Sequence, residues 1–192
     1  AQNNSFFVDK LTGYRIDKDS PARKLRAVAK STLTGIVTAG LGLPVRGQPL
    51  HAYVLRDDSV NGKPEQWGKR AVDTYRIYAQ RCPTIVLCES NQGGEMIRSI
   101  IRSIDSSVPV RLVSSQKKKY ERAIPVVAKY QQGRVHHHGL FPELETELLM
   151  YEPGDEDDKL SPNRLDALVH GIRHLLVDGL RAGAGIAITR RV

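Results

Sequence analysis

Cysteine is almost absent from this 192-residue chain, with only Cys82 and Cys88. Neither lies in metal-ligand spacing, which excludes a disulfide scaffold and a zinc ribbon and fits a reducing compartment. No apolar run approaches the ~20 residues that a membrane-crossing helix needs, so no membrane partner is expected. The opening stretch AQNNSFFVDK has neither the basic region nor the apolar core of a secretory signal, and a secreted protein is not expected. Aromatic residues make up 6%, and the single tryptophan, Trp67, reads as core rather than as a base-stacking platform. A GxxxxGK[ST] phosphate loop is missing, so this stretch encodes no ATP hydrolysis. GLGLPVRG only superficially resembles a dinucleotide loop, because no strand–helix context surrounds it. Repeats and low-complexity segments are also absent.

What is present describes one folded domain. The chain is 40% hydrophobic and 26% charged, outside the range of disordered sequences and long enough to bury a core. Its net charge is +8, unevenly spread. Residues 141–158, FPELETELLMYEPGDEDD, hold eight acids and no Lys or Arg, leaving 29 bases against 13 acids elsewhere, a surplus of 16. Such a surplus suits a polyanion, and nucleic acid is the commonest one; a merely solubilising surface is the plain alternative. The run Lys117, Lys118, Lys119 sharpens the case, because adjacent ammonium groups repel unless an anion sits nearby.

The pattern predicts a lead-in over 1–24, a domain over 25–178 and a C-terminal tail over 179–192. Short strands are expected at 25–29, 34–39 and 51–57, then a helix over 63–80 with apolar residues at helical spacing. TIVLC (84–88) reads as a strand buried on both faces, followed by Gly93, Gly94 and a helix. A strand over 109–115, a helix over 118–132, a short strand or turn at RVHHHG and a helix over ELETELLMY follow. The last helix is expected to start with Ser161 as N-cap and Pro162 at its first position. An antiparallel start followed by βα alternation implies an α/β domain with a mixed sheet and helices on both faces.

Two acids stand where chemistry is expected. Glu89 follows directly on the buried strand, where ligands of open α/β sheets bind, and the glycines after it allow close backbone approach. An ordinary strand-end acid is the plain alternative. Asp166 flanks the apolar face Leu165, Leu168, Val169 and Ile172 of the last helix, either as a dipole-favoured first-turn acid or as a hard oxygen ligand for Mg²⁺ or Mn²⁺. His170 and His174, at i and i+4, share a side with Asp166; zinc binding is compatible with that spacing, which also arises commonly by chance. His136, His137 and His138 read as a strand end near the surface. Cys88 reads as a buried strand residue.

The blocks IVLCESNQGGEMIRSIIRSIDSSVPVRLV, KYERAIPVVAKYQQGRVHHHGLFPELETELLMYEPGD and SPNRLDALV, in this order and spacing, are similar to the nuclease domain of large terminase subunits of tailed bacteriophages. The resemblance runs from about Gly35 to Val169. It implies a ribonuclease H-like fold with an antiparallel three-strand start. It also implies a metal-dependent endodeoxyribonuclease that cuts double-stranded concatemeric DNA during packaging in the host bacterial cytoplasm, transiently at the procapsid portal. By motif, Glu89 and Asp166 would be the catalytic metal ligands of a two-metal Mg²⁺ or Mn²⁺ site, with Asp57 as a further ligand. Lys117, Lys118, Lys119, Arg122 and Arg164 would contact DNA. The ATPase domain of the full-length protein, the portal and the small terminase subunit would be partners. One departure stands out: the family's first strand normally ends in an aspartate, whereas here LRAVA runs straight into Lys30. A catalytically impaired DNA- or portal-binding module, and another ribonuclease H-like nuclease of resolvase type, are the alternatives.

Overall fold

The computed structural model describes residues 33–90, 93–114, 116–151, 163–178 and 186–191. The elements run β1 (Leu33–Leu41), β2 (Ala52–Asp57), β3 (Val60–Asn61), α1 (Pro64–Ala79), β4 (Thr84–Glu89), α2 (Gly94–Ile104), β5 (Val110–Val113), α3 (Lys119–Gln131), β6 (Val135–His137), α4 (Pro142–Met150), α5 (Asn163–Leu176) and β7 (Ile186–Arg191). The expected strand at 25–29, the lead-in and the expected helix start at Ser161 and Pro162 lie outside the described residues. Among those residues, no helix is long and apolar enough to cross a membrane.

The strands form one mixed sheet in the order β5-β4-β7-β1-β2-β6, with β3 paired to β1. β1 is antiparallel to β2 and to β7, whereas β4 is parallel to both β5 and β7. Residues 186–191, expected as part of a tail, therefore enter the sheet between β4 and β1. Their sequence, Ile-Ala-Ile-Thr-Arg-Arg, has the β-branched content of a strand. A strand needs two flanking strands to take a central slot, and those are supplied by residues far away in sequence.

Both faces of the sheet are covered, and the side chains sort with a period of two. Val37, Ala39 and Leu87 face a core built with Ala123 and Val126 of α3, Leu144 and Leu148 of α4, and Leu165, Leu168 and Ile172 of α5. Ile36, Val86 and Cys88 face the opposite core, with Trp67 and Val72 of α1 and Ile97 and Ile101 of α2. Trp67 and Cys88 are thus core residues, as their sequence context suggests.

The register fixes which ends meet. Gly35 pairs with Arg191, Cys88 with Arg190, and Val37 with Asp57, so the start of β1 and the ends of β2 and β4 share one edge of the sheet. The first turn of α5 lies on that edge. Asn163 donates its side-chain amide to the carbonyl of Leu33, and a Cβ on Gly35 would come within 2.1 Å of the Asn163 carbonyl oxygen.

Candidate functional site

Glu89 is the last residue of β4, and Asp166 sits one turn into α5. Seventy-seven residues apart in sequence, they meet on one guanidinium. Arg122, from the first turns of α3, donates through Nη1 to Glu89 Oε1 at 2.9 Å and through Nη2 to Asp166 Oδ1 at 3.4 Å. Lys119, one turn earlier on the same face, places Nζ 3.6 Å from Asp166 Oδ2. Nη1 of Arg122 also lies 3.1 Å from His170 Nε2. A guanidinium only donates, so Nε2 accepts and the imidazole proton sits on Nδ1 in this arrangement.

The cluster is nearly dry. Asp166 is 1% exposed, Arg122 4% and His170 8%; the Glu89 side chain is 12% exposed and that of Lys119 30%. Buried charges survive only when paired, and here two acids face two bases. Arg122, which the resemblance would set among the DNA contacts, is buried in ion pairs within the protein. Its position one turn after Lys119, on the buried side of α3, is the signal that points inward.

A second group anchors α5. Glu147 of α4 accepts from the backbone N–H of Leu165 at 3.0 Å, satisfying a donor of the helix's first turn. Arg164 bridges Glu147, at 3.4 Å, and Asp57, at 2.9 Å. The other Asp57 oxygen accepts from the Ser59 hydroxyl and backbone N–H. Asp57 is thus on the expected edge of the sheet, but its oxygens accept from Arg164 and Ser59, whereas Glu89 and Asp166 share Arg122. Arg164 is likewise turned into the protein. Glu147 has no distinguishing signal in the sequence, being one of three acids in the helical run Glu-Leu-Glu-Thr-Glu-Leu-Leu. The same is true of Asp58, buried between Arg56, at 2.8 Å from both oxygens, and Thr74, at 3.0 Å. Burial opposes its ionisation, but the Arg56 bonds and charge hold its pKa below the usual carboxylate value.

Lys117 and Lys118 are exposed and precede α3 directly. His136 stacks on His51 and Tyr53 at the far edge of the sheet. His137 turns inward between Tyr130 and Glu145.

No family model, curated protein or solved structure matches this chain. The site's chemistry therefore rests on its own geometry and on the motif blocks. Two hard carboxylates aimed at one buried cation have the donor chemistry that Mg²⁺ or Mn²⁺ takes. The strands on either side of β4 add no acid, since β5 reads Val-Arg-Leu-Val and β7 Ile-Ala-Ile-Thr-Arg-Arg. Among the described residues no group of three or more His, Cys, Asp and Glu side chains is gathered to hold a metal ion. Glu89, Asp166 and His170 surround Arg122 instead.

Proposed function

We propose that the chain is a ribonuclease H-like nuclease domain of a large terminase subunit, a metal-dependent endonuclease for double-stranded concatemeric DNA. The observation that carries this reading is the meeting of Glu89 and Asp166 at the carboxyl end of β4 on a shared cation. The two acids come from separate motif blocks of the resemblance, and a fold that builds only a core has no need to converge them.

In this reading Glu89 and Asp166 hold Mg²⁺ or Mn²⁺. Such an ion supplies an activated water and charge to stabilise the leaving oxygen of a phosphodiester. The remaining residues position and balance. Glu147, Arg164 and Asp57 fix the first turn of α5 and with it Asp166. Lys119 supplies positive charge at the solvent side of the acids. Lys117 and Lys118 meet the DNA backbone, which attracts cations without regard to sequence. The ATPase domain, portal and small terminase subunit belong to the same proposal as partners. A two-metal arrangement requires an acid beyond Glu89 and Asp166.

Linearisation of supercoiled plasmid with Mn²⁺ tests the reading. Cutting by the parent protein, lost in Glu89→Ala and in Asp166→Ala, is expected; equal cutting by both variants would sink it. Two observations favour a second reading, a DNA- or portal-binding module without cleavage: both strands beside β4 lack an acid, and Arg122 and Lys119 together already balance the charge of the pair. Salt-sensitive DNA binding with no cutting under Mg²⁺ or Mn²⁺ would select it, and preference for branched DNA would select the resolvase type.

A further inference from the structure

Arg122 is an unusual occupant for the space between two acids offered to a metal. Its guanidinium is held by Glu89, Asp166 and His170, yet its Nε, buried in the same site, has no hydrogen-bond acceptor. A buried donor without a partner is unfavourable, so the arginine fits this pocket incompletely. The main chain at the same residue is tied down separately, with the Arg122 carbonyl 3.5 Å from Arg173 Nη1. The backbone of α3 at this residue thus has an anchor that does not depend on the Arg122 side chain. Lys119, the more exposed of the two bases, marks the side on which the cluster opens to solvent.

We propose that Arg122 is a displaceable internal cation, competing with a divalent ion for Glu89 and Asp166 and so setting the metal affinity of the site. The inference rests on the reading above, that these acids are metal ligands. A divalent ion bound by both carboxylates would stand within a few ångströms of the guanidinium, where like charges repel strongly in a dry environment. Either the arginine swings out or the ion stays out. The acids are thereby kept charge-paired without metal, and metal binding is opposed by the ion pairs it must break. Arg122 is a positioning residue in this scheme and touches no substrate.

The opposite role makes the opposite prediction. Were Arg122 a brace that holds the two carboxylates in place for metal, removing it would weaken binding. Mn²⁺ binding to the full chain by titration calorimetry at fixed ionic strength separates the two. Arg122→Gln is expected to bind Mn²⁺ at least tenfold more tightly than the parent. Its melting temperature without metal is expected to fall below the parent's and to recover on adding Mn²⁺, since a ligand that binds only the folded state stabilises it. Equal or weaker Mn²⁺ binding by Arg122→Gln overturns the proposal. Should that variant not fold without metal, Arg122→Lys, which keeps the charge but cannot bridge both acids, is expected to bind Mn²⁺ more tightly than the parent; parent-like affinity overturns the proposal. Its failure is distinguishable from failure of the nuclease reading. If Mn²⁺ binds parent and Arg122→Gln equally and is lost in Glu89→Ala, only the competition falls. If Arg122→Gln binds tightly and no protein cuts DNA, the competition stands and the nuclease reading falls. Absence of Mn²⁺ binding to every variant overturns both.

Discussion

His137 shows how one side chain acquires a property that its neighbours in sequence do not share. His136 and His138 flank it, but only His137 turns between the Tyr130 hydroxyl, at 2.8 Å from Nε2, and Glu145 Oε1, at 3.0 Å from Nδ1. A neutral imidazole satisfies both: Nε2 accepts from the phenol and Nδ1–H donates to the carboxylate. Burial pushes the phenol's pKa upward, with Glu145 adding to the effect, so Tyr130 remains a donor. Burial also pushes the pKa of His137 down, against the opposing pull of Glu145. His174 is lowered in the same direction, by burial first and then by the charge of Arg111. A histidine whose folded pKa lies below its unfolded value of 6.5 binds fewer protons folded than unfolded. Its contribution is present above about 6.5 and is lost as pH falls through the folded pKa. The denaturant midpoint is therefore expected to be lower at pH 5 than at pH 7.5, with a smaller drop in His137→Gln. An identical pH response in the variant would exclude His137 as a source.

At the scale of elements, the seam between β1 and α5 controls the site. Gly35 lies where the backbone of Asn163 passes, and the helix sits there only because no Cβ intervenes. Asp166 is the third residue after Asn163, so any shift of the helix moves a carboxylate of the site. Gly35→Ala is expected to cost about 1–3 kcal/mol of stability, the usual range for forcing an atom into a packed core. Under the proposed function, it should also weaken Mn²⁺ binding at Glu89 and Asp166. Urea unfolding and calorimetry measure the two effects, and a variant with parent stability and affinity would show that the seam yields freely. Gly93 does related work at the other acid: its φ of +80° starts α2 just beyond Glu89 in a conformation that few L-residues adopt. Gly35 left no mark in sequence, because it sits inside the strand run LTGIVTAGL. Gly93 did, because the pair Gly93-Gly94 follows a buried strand and opens a helix.

For the molecule as a whole, the relevant quantity is where charge faces solvent. Arg122 and Arg164 count toward the +8, but ion pairs within the protein absorb both. Lys117 and Lys118 stand exposed ahead of α3. Under the proposed function, duplex binding is expected to weaken steeply with salt, because each phosphate contact releases counterions. Lys117→Ala and Lys118→Ala should each reduce the slope of log K against log salt by about 1. Fluorescence anisotropy with a labelled duplex across a salt series reads this directly; unchanged slopes would remove the lysine run from the DNA surface.

Local pattern determined a good deal. Alternation and apolar runs marked β1, β2 and β4, helical spacing marked α1, α2 and α5, and the end of TIVLC marked Glu89, because each signal is set by neighbours within one or two turns. The partners of Asp57, the inward turn of Arg122, the anchoring by Glu147 and the insertion of residues 186–191 between β4 and β1 were decided only by tertiary structure. These depend on which segments share an edge of the sheet, and buried ion pairs form between whatever charges that packing brings together. Residue type shows that a charge is present; burial and register decide whether it faces DNA, a metal ion or another side chain.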